Sequence, residues 1–285
     1  MKFTRAARGL IIASAVIYPI IGIAPAQART LPARIISLSP SATEILYGIG
    51  AGPQVIAVDD NSDYPANAPH TSLSSYSPNV EAIAAMHPDL VILQTTATKA
   101  SDVEAGLKKL NIAVYMETTP SNITQAYSEY TDLGALTGHP SRTAALITTM
   151  KQEISATVAQ ASKNTHITIF DELDPDSFYS ATSNTFIGQV FKSFGFSNIA
   201  DGADTADSGG YPALTPEYIV QANPSVILLD DGATAKDVSA RPGWKTISAV
   251  VNKHVVVVPL DIADRWGPRI VDLYRFIASS TKNIK

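Results

Sequence analysis

Two stretches of this chain repeat one pattern 136 positions apart, and that repeat limits the architecture more than any other feature. Asn79-Val-Glu-Ala-Ile-Ala-Ala-Met-His-Pro-Asp-Leu-Val-Ile-Leu93 aligns with Pro216-Glu-Tyr-Ile-Val-Gln-Ala-Asn-Pro-Ser-Val-Ile-Leu-Leu229 when Glu81 is set on Glu217. Ile83 then falls on Ile219, Pro88 on Pro224, and Val91–Leu93 on Ile227–Leu229. Each copy reads as a short helix with an acid in its first turn, a proline that ends it, and a buried strand. Singly, either glutamate is ordinary helix-start chemistry. Over the whole segment, the match predicts two related lobes, each presenting one carboxylate at a matching place.

The surrounding pattern supports a parallel α/β organisation in both halves. Ile35–Leu38, Gln54–Val58, Leu90–Leu93 and Ala113–Met116 are short apolar runs separated by helical segments, the last over roughly Ser101–Leu110. Ser41 with Glu44 three residues on reads as a capping box opening the first helix. Asp59–Tyr76 is a long polar loop. From Asn122 to Ser162 strand signal vanishes, and Gly138-His139-Pro140 divides two helices. In the second, Ile147, Met150, Ile154, Val158 and Ala161 form a helical stripe. Taken over Ser141–Ser162 it spans roughly 33 Å at 1.5 Å per residue, a spine between lobes. The scheme then restarts with strand Ile167–Phe170, helix Ser183–Phe194, strands Val226–Leu229 and Val255–Pro259, and a closing helix Pro268–Ile277. The expected fold is two Rossmann-like lobes with mostly parallel sheets joined by a long backbone helix. The expected boundaries are a leader over 1–28, an N-terminal lobe over 29–139, the helix over 140–163 and a C-terminal lobe over 164–285.

The leader reading rests on basic Lys2, Arg5 and Arg8, apolar Gly9–Ile23 and the small-residue site Ala26-Gln27-Ala28, with cleavage expected after Ala28. Its loss moves the formal charge from −5 to −8. A chain of that sign is not built for nucleic acid or an anionic membrane surface. There is no cysteine, which excludes thiolate metal sites, a Cys nucleophile and a lipidated N-terminal Cys. A soluble protein of the periplasm, or a secreted one, is the expectation.

No catalytic constellation is legible. His70, His87, His139, His166 and His254 are scattered, without metal-ligand spacing, and there is neither a nucleophile elbow nor a phosphate loop. Aromatic residues make up only 7% of the chain, yet several fall in loops: Tyr64, Tyr76, Phe178, Tyr179 and Tyr211, with Trp244 and Trp266 flanking the last strand. Such side chains either present flat apolar surface to a ring-like ligand or cap the lobe cores, and for Phe178 and Trp244 both readings stay open. In Arg265-Trp266-Gly267-Pro268-Arg269, two guanidinium groups either grip ligand oxygens or pin Asp261, Asp264 or a helix end. Asp171-Glu-Leu-Asp174 is a third cleft element or a solvated loop.

Arg34-Ile-Ile-Ser-Leu-Ser-Pro-Ser-Ala-Thr-Glu44, Ser62-Asp-Tyr-Pro65, Asn79-Val-Glu81 with Pro88-Asp-Leu-Val91, Thr215-Pro-Glu217 and Pro268-Arg-Ile270 together carry a family likeness. They resemble the substrate-binding proteins of ABC importers for iron chelates, haem and vitamin B12, and the first strand and helix most resemble the cobalamin-binding members. The resemblance implies a monomer without an intrinsic cofactor. It would hold an iron chelate, haem or cobalamin between its lobes and dock on a permease dimer of the inner membrane through Glu81 and Glu217. Cobalamin-binding members tend to carry a Trp ahead of the first Glu helix, where this chain has Tyr76. Haem binders supply an axial Tyr or His, here Tyr64 or Tyr76, and siderophore binders gather arginines, here Arg265, Arg269 and Arg241. The rival readings are a secreted two-lobed hydrolase or metal-dependent enzyme, and a binder of free metal ions.

Overall fold

Two four-stranded parallel sheets carry the chain, and their strands are connected in the same spatial order. The structure, a computed structural model, describes residues 30–161 and 166–284. The expected leader lies outside them, and Leu31–Lys285 forms one compact unit. In chain order the first half runs β1 (Ile35–Leu38), α1 (Pro40–Gly48), β2 (Val55–Val58), α2 (Val80–Ala85), β3 (Leu90–Gln94), α3 (Ala100–Lys109), β4 (Ala113–Glu117) and α4 (Ile123–Thr137). Then come α5 (Pro140–Gln160), β5 (Thr168–Glu172), α6 (Phe186–Ser193), β6 (Ser197–Asn198), α7 (Pro216–Ala222) and β7 (Val226–Leu229). The chain closes with α8 (Ala235–Ala240), α9 (Ser248–Val251), β8 (Val255–Val257), α10 (Leu260–Ala263) and α11 (Ile270–Thr281). The sheet orders are β2-β1-β3-β4 and β6-β5-β7-β8. β1 and β7 are buried along their whole length, as strands covered by helices on both faces must be.

The sequence repeat is a structural repeat down to single dihedrals. Asn79 and Thr215 cap α2 and α7 by accepting from the backbone N–H of Ala82 and Tyr218. Ile83 and Ile219 are each buried beneath their helix. His87 and Asn223 both adopt left-handed backbone, with φ of 49° and 48°. Each helix has therefore ended by that residue, ahead of the proline that was expected to end it, with Met86 capping α2 and Asn223 capping α7; Pro88 and Pro224 then hold the chain out of helix. Asp89 and Ser225, also equivalent, tie back the first strand of their own sheets: Asp89 Oδ2 accepts from Arg34 N and Ser225 Oγ from Thr168 N.

The predicted spine is α5. Gly138, at φ 81°, closes α4, and Pro140 takes the first turn of α5, where its missing N–H is harmless. Twenty-one residues give it a length of about 32 Å. Met150 is buried, and Ile147, Ile154, Val158 and Ala161 pack against the core, as the stripe predicts. α11 packs beside α5. One contiguous apolar cluster joins Ile35, Leu46 and Ile92 of the first sheet region to Ile169, Phe191 and Leu228 of the second, through Ile270, Leu273 and Ile277 of α11. Separating the lobes would expose that surface, which opposes large hinge motion.

Two local readings are corrected. The N-cap of α1 is Ser39, which accepts from Ala42 N at 3.2 Å, and not Ser41. Ser41 and Glu44 instead serve contacts more than 200 residues away, which outcompete the capping box. β5 also runs on through Glu172, so Asp171 and Glu172 are buried strand residues and not a solvated loop.

Candidate functional site

In parallel sheets, ligands gather beyond the carboxyl ends of the strands. Here those ends supply Ser39–Ser41, Asp59–Asp63, Gln94 and Glu117 from the first sheet, and Asp171–Glu172 and Asp230–Asp231 from the second. A cavity of about 360 Å³ is lined from one side by Pro40, Ser41, Asn61, Asp63 and Gln94, and from the other by Leu260, Asp261, Asp264 and Arg265. Both halves of the chain contribute, which makes it the candidate cleft.

The segment after α10 is buckled onto the first half of the chain. Arg265 ion-pairs with Asp63 and donates to the carbonyl of Asn61 at 3.1 Å. Arg269 grips Glu44 Oε1 through Nη2 at 2.6 Å and Nε at 3.1 Å, and reaches Asp261 with Nη1. Its guanidinium also lies 4.3 Å from the centre of the Tyr64 ring. Between the arginines, Trp266 is buried: its backbone N–H donates to Ser41 Oγ, and its carbonyl accepts from Tyr130 Oη at 2.9 Å. Arg265, Trp266 and Arg269 are thus brought together, as a clasp between the halves, and Arg265 also borders the cavity.

The other aromatic candidates divide. Trp244 is 1% exposed, packed on Phe170 and Phe178 in the core beneath the second sheet. It offers no face to a ligand, and the core-capping alternative describes it. Arg241 stacks over it at 4.5 Å and forks onto Glu172 through both terminal nitrogens. Phe178 lies beside this stack, partly buried, while its neighbour Tyr179 is exposed. Tyr64 borders a groove with Met150, Glu153, Arg269 and Arg275, on the α5 and α11 side of Glu44. Tyr76 is 72% exposed, the most open aromatic among the described residues. Glu81 and Glu217 are both exposed in the first turns of α2 and α7.

Buried carboxyl groups dominate the electrostatics. Burial pushes Glu44 up, against the pull of Arg269 and Arg265. Glu117 and Glu129 form a buried pair: burial raises Glu117, and burial with repulsion from Glu117 takes Glu129 to about 10, so the pair retains a proton at neutral pH. Burial also raises Asp171 well above its ordinary value and takes Asp230 to about 7. Glu172 is likewise raised to about 7 by burial, with Arg241 opposing. Asp63 goes the other way, held down by its bond to Arg265. Only Asp171 and Glu172 had a signal in the sequence, as acids at the end of an apolar run. Glu44 was read as a cap, and Glu129 sits mid-helix among residues that say nothing of its partner.

Fold and cleft define a two-lobed binding protein. The chain belongs to the periplasmic binding protein family, whose model matches residues 35–261. Among curated proteins, an uncharacterized ABC transporter substrate-binding lipoprotein of Bacillus subtilis is 31% identical over 255 residues, spanning 87% of this chain and 80% of its own length. A vitamin B12-binding protein of Vibrio parahaemolyticus is 28% identical, covering 88% of this chain and 90% of its own. Among solved structures, the periplasmic vitamin B12 binding protein of Vibrio cholerae superposes with a TM-score of 0.74 at 26% identity, over 88% of this chain and 97% of that one. A periplasmic haem binding protein of Vibrio cholerae, at 20% identity, shares the fold with a TM-score of 0.76 over 86% of this chain and 97% of its own.

Members of the family are substrate-binding proteins of ABC transporters and not enzymes, so the hydrolase alternative falls away. The chain therefore works with an ABC transporter and a small-molecule ligand. Among the described residues, no helix is long and apolar enough to cross a membrane, and no group of three or more His, Cys, Asp or Glu is arranged to hold a metal ion.

Proposed function

We propose that the protein captures a bulky corrinoid-type chelate, with a largely neutral periphery, in the cleft between its lobes and hands it to an ABC permease dimer. The observation that carries this reading is the commitment of the three candidate arginines. Arg265 is engaged by Asp63, Arg269 by Glu44 and Asp261, and Arg241 by Glu172. None is left as a spare guanidinium for the carboxylates of haem or the oxygens of an anionic siderophore. The relatives named as vitamin B12-binding proteins point to the same ligand class. Tyr76 and Tyr179 would supply flat apolar contact at the rim, with Tyr64 behind Arg269.

Delivery falls to Glu81 and Glu217. They are exposed, equivalent by the internal repeat, and free of ion pairs among the described residues, so each is available to a cationic partner. Rim charges of this kind govern encounter and docking specificity more than ligand affinity. The acting form is a monomer in the periplasm, released from its leader after Ala28. Calorimetric titration of the purified protein with cyanocobalamin, haem and ferric siderophores tests the ligand class. Cyanocobalamin should bind tightest; tighter binding of haem or a siderophore overturns the reading.

A further inference from the structure

While the arginines are committed, acids at the second sheet are left over. Asp171 is 0% exposed near the carboxyl end of β5, and neither of its carboxylate oxygens has a hydrogen-bond partner among the described residues. Asp230, the residue after β7, is 8% exposed with Oδ1 unpartnered. Asp171 pairs in register with Leu228, and Asp230 continues that strand's alternation, so both side chains leave the same face of the sheet. Asp264, which lines the interlobe cavity, acts electrostatically on both.

The groups around them offer no compensation. On β5, Glu172 is neutralised by Arg241 and exports no positive charge. Beyond β7, Asp231 adds a third acid, with its own Oδ2 unpartnered. The loop before α7 brings Tyr211, and the segment after α10 brings Arg265, which is engaged by Asp63. Buried acids are ordinarily paired or kept neutral; among the described residues no hydrogen bond reaches Asp171 or Asp230 Oδ1, and the cavity-lining residue that acts on both is another acid, Asp264.

We propose that Asp230 is a charge filter: it repels chelates with an anionic rim and admits those whose rim is neutral or rich in hydrogen-bond donors. This rests on the corrinoid reading and adds how the cleft refuses the alternatives. Specificity is a difference between affinities, and an uncompensated acid in a low-dielectric wall supplies the repulsive half of it. Burial brings Asp230 to about 7, with Asp264 and Asp231 pushing the same way, so the filter strengthens as pH rises past neutrality.

The test is calorimetry on the wild type, Asp230→Asn and Asp171→Asn, with neutral cyanocobalamin and dianionic haem, at pH 5.5 and pH 8. The readout is the ratio of haem to cyanocobalamin affinity. In the wild type this ratio should fall about tenfold between the two pH values, a change expected of one ionisation. In Asp230→Asn it should be about tenfold higher at pH 8 and nearly independent of pH. Asp171→Asn, which replaces an acid that burial holds toward its neutral form, should leave the ratio close to that of the wild type. Corrinoid binding with a ratio that is the same in wild type and Asp230→Asn overturns the filter and leaves the ligand class standing. A haem gain in Asp230→Asn without corrinoid binding in any form upholds the filter and overturns the ligand class. Binding of neither chelate by all three proteins overturns both.

Discussion

Trp266 donates its indole N–H to Glu129 Oε2 at 2.6 Å, across 137 residues of sequence. That bond puts a side chain from the closing segment of the chain into the first lobe, beside the Glu117–Glu129 pair. Replacing Trp266 with Phe keeps the ring but removes the donor, leaving a buried carboxyl oxygen unsatisfied, so about 1–3 kcal/mol of stability should be lost. Glu129→Gln keeps an acceptor and removes the need for a shared proton, and should be tolerated within about 1 kcal/mol. Urea unfolding of both variants checks this; an unchanged midpoint for Trp266→Phe sinks it.

Gly267 is required by the same clasp. A Cβ there would lie 2.5 Å from Glu44 Oε2 and 2.7 Å from Glu44 Cβ. Gly267→Ala must push Glu44 away from Arg269 or lift the segment, at about 1–3 kcal/mol, the usual range for overpacking. Thermal melting should show a lower midpoint; equal stability would mean that the segment has slack.

Reversing both exposed acids, Glu81→Arg with Glu217→Arg, should abolish transport while ligand affinity stays within a factor of two or so. The measurement is uptake in reconstituted vesicles beside calorimetry on the purified variant. Transport at the wild-type rate, or loss of ligand binding, would falsify the docking role.

Acid groups with raised values make stability fall with rising pH. Glu172 and Asp230 go from ordinary values of 4.5 and 3.8 to about 7 in the folded protein. Between those limits the folded state holds protons that the unfolded chain has released, so their contribution is complete below about 4 and lost as pH rises through 7. Asp171, also raised by burial, adds to the loss in the same direction. The melting temperature should drop from pH 5 to pH 8, and Asp171→Asn should flatten the drop; a steeper drop in the variant would contradict it.

The architecture was largely legible because its signals are local. Helix stripes, Pro140 after Gly138, and apolar runs of four or five residues are set by neighbours in the chain, and the Glu81 and Glu217 copies could be aligned without any fold. Helices α8 to α10 were missed because they are four to six residues long, too short to establish a period. The site was read less well. Arg241, Arg265 and Arg269 were recognised as special, but nothing near them in sequence says whether a guanidinium meets a ligand or a carboxylate.

By itself, then, the sequence determined the two sister lobes, the spine between them and one exposed acid on each, since these follow from periodicity and capping. Only tertiary structure decided the fate of the charged and aromatic side chains. Glu172 reaches Arg241 across 69 residues, Glu44 reaches Arg269 across 225, and the Asp171 carboxyl is left without a hydrogen-bond partner among the described residues. A charge's role depends on what surrounds it once water is excluded, and those surroundings come from distant segments that local pattern does not encode.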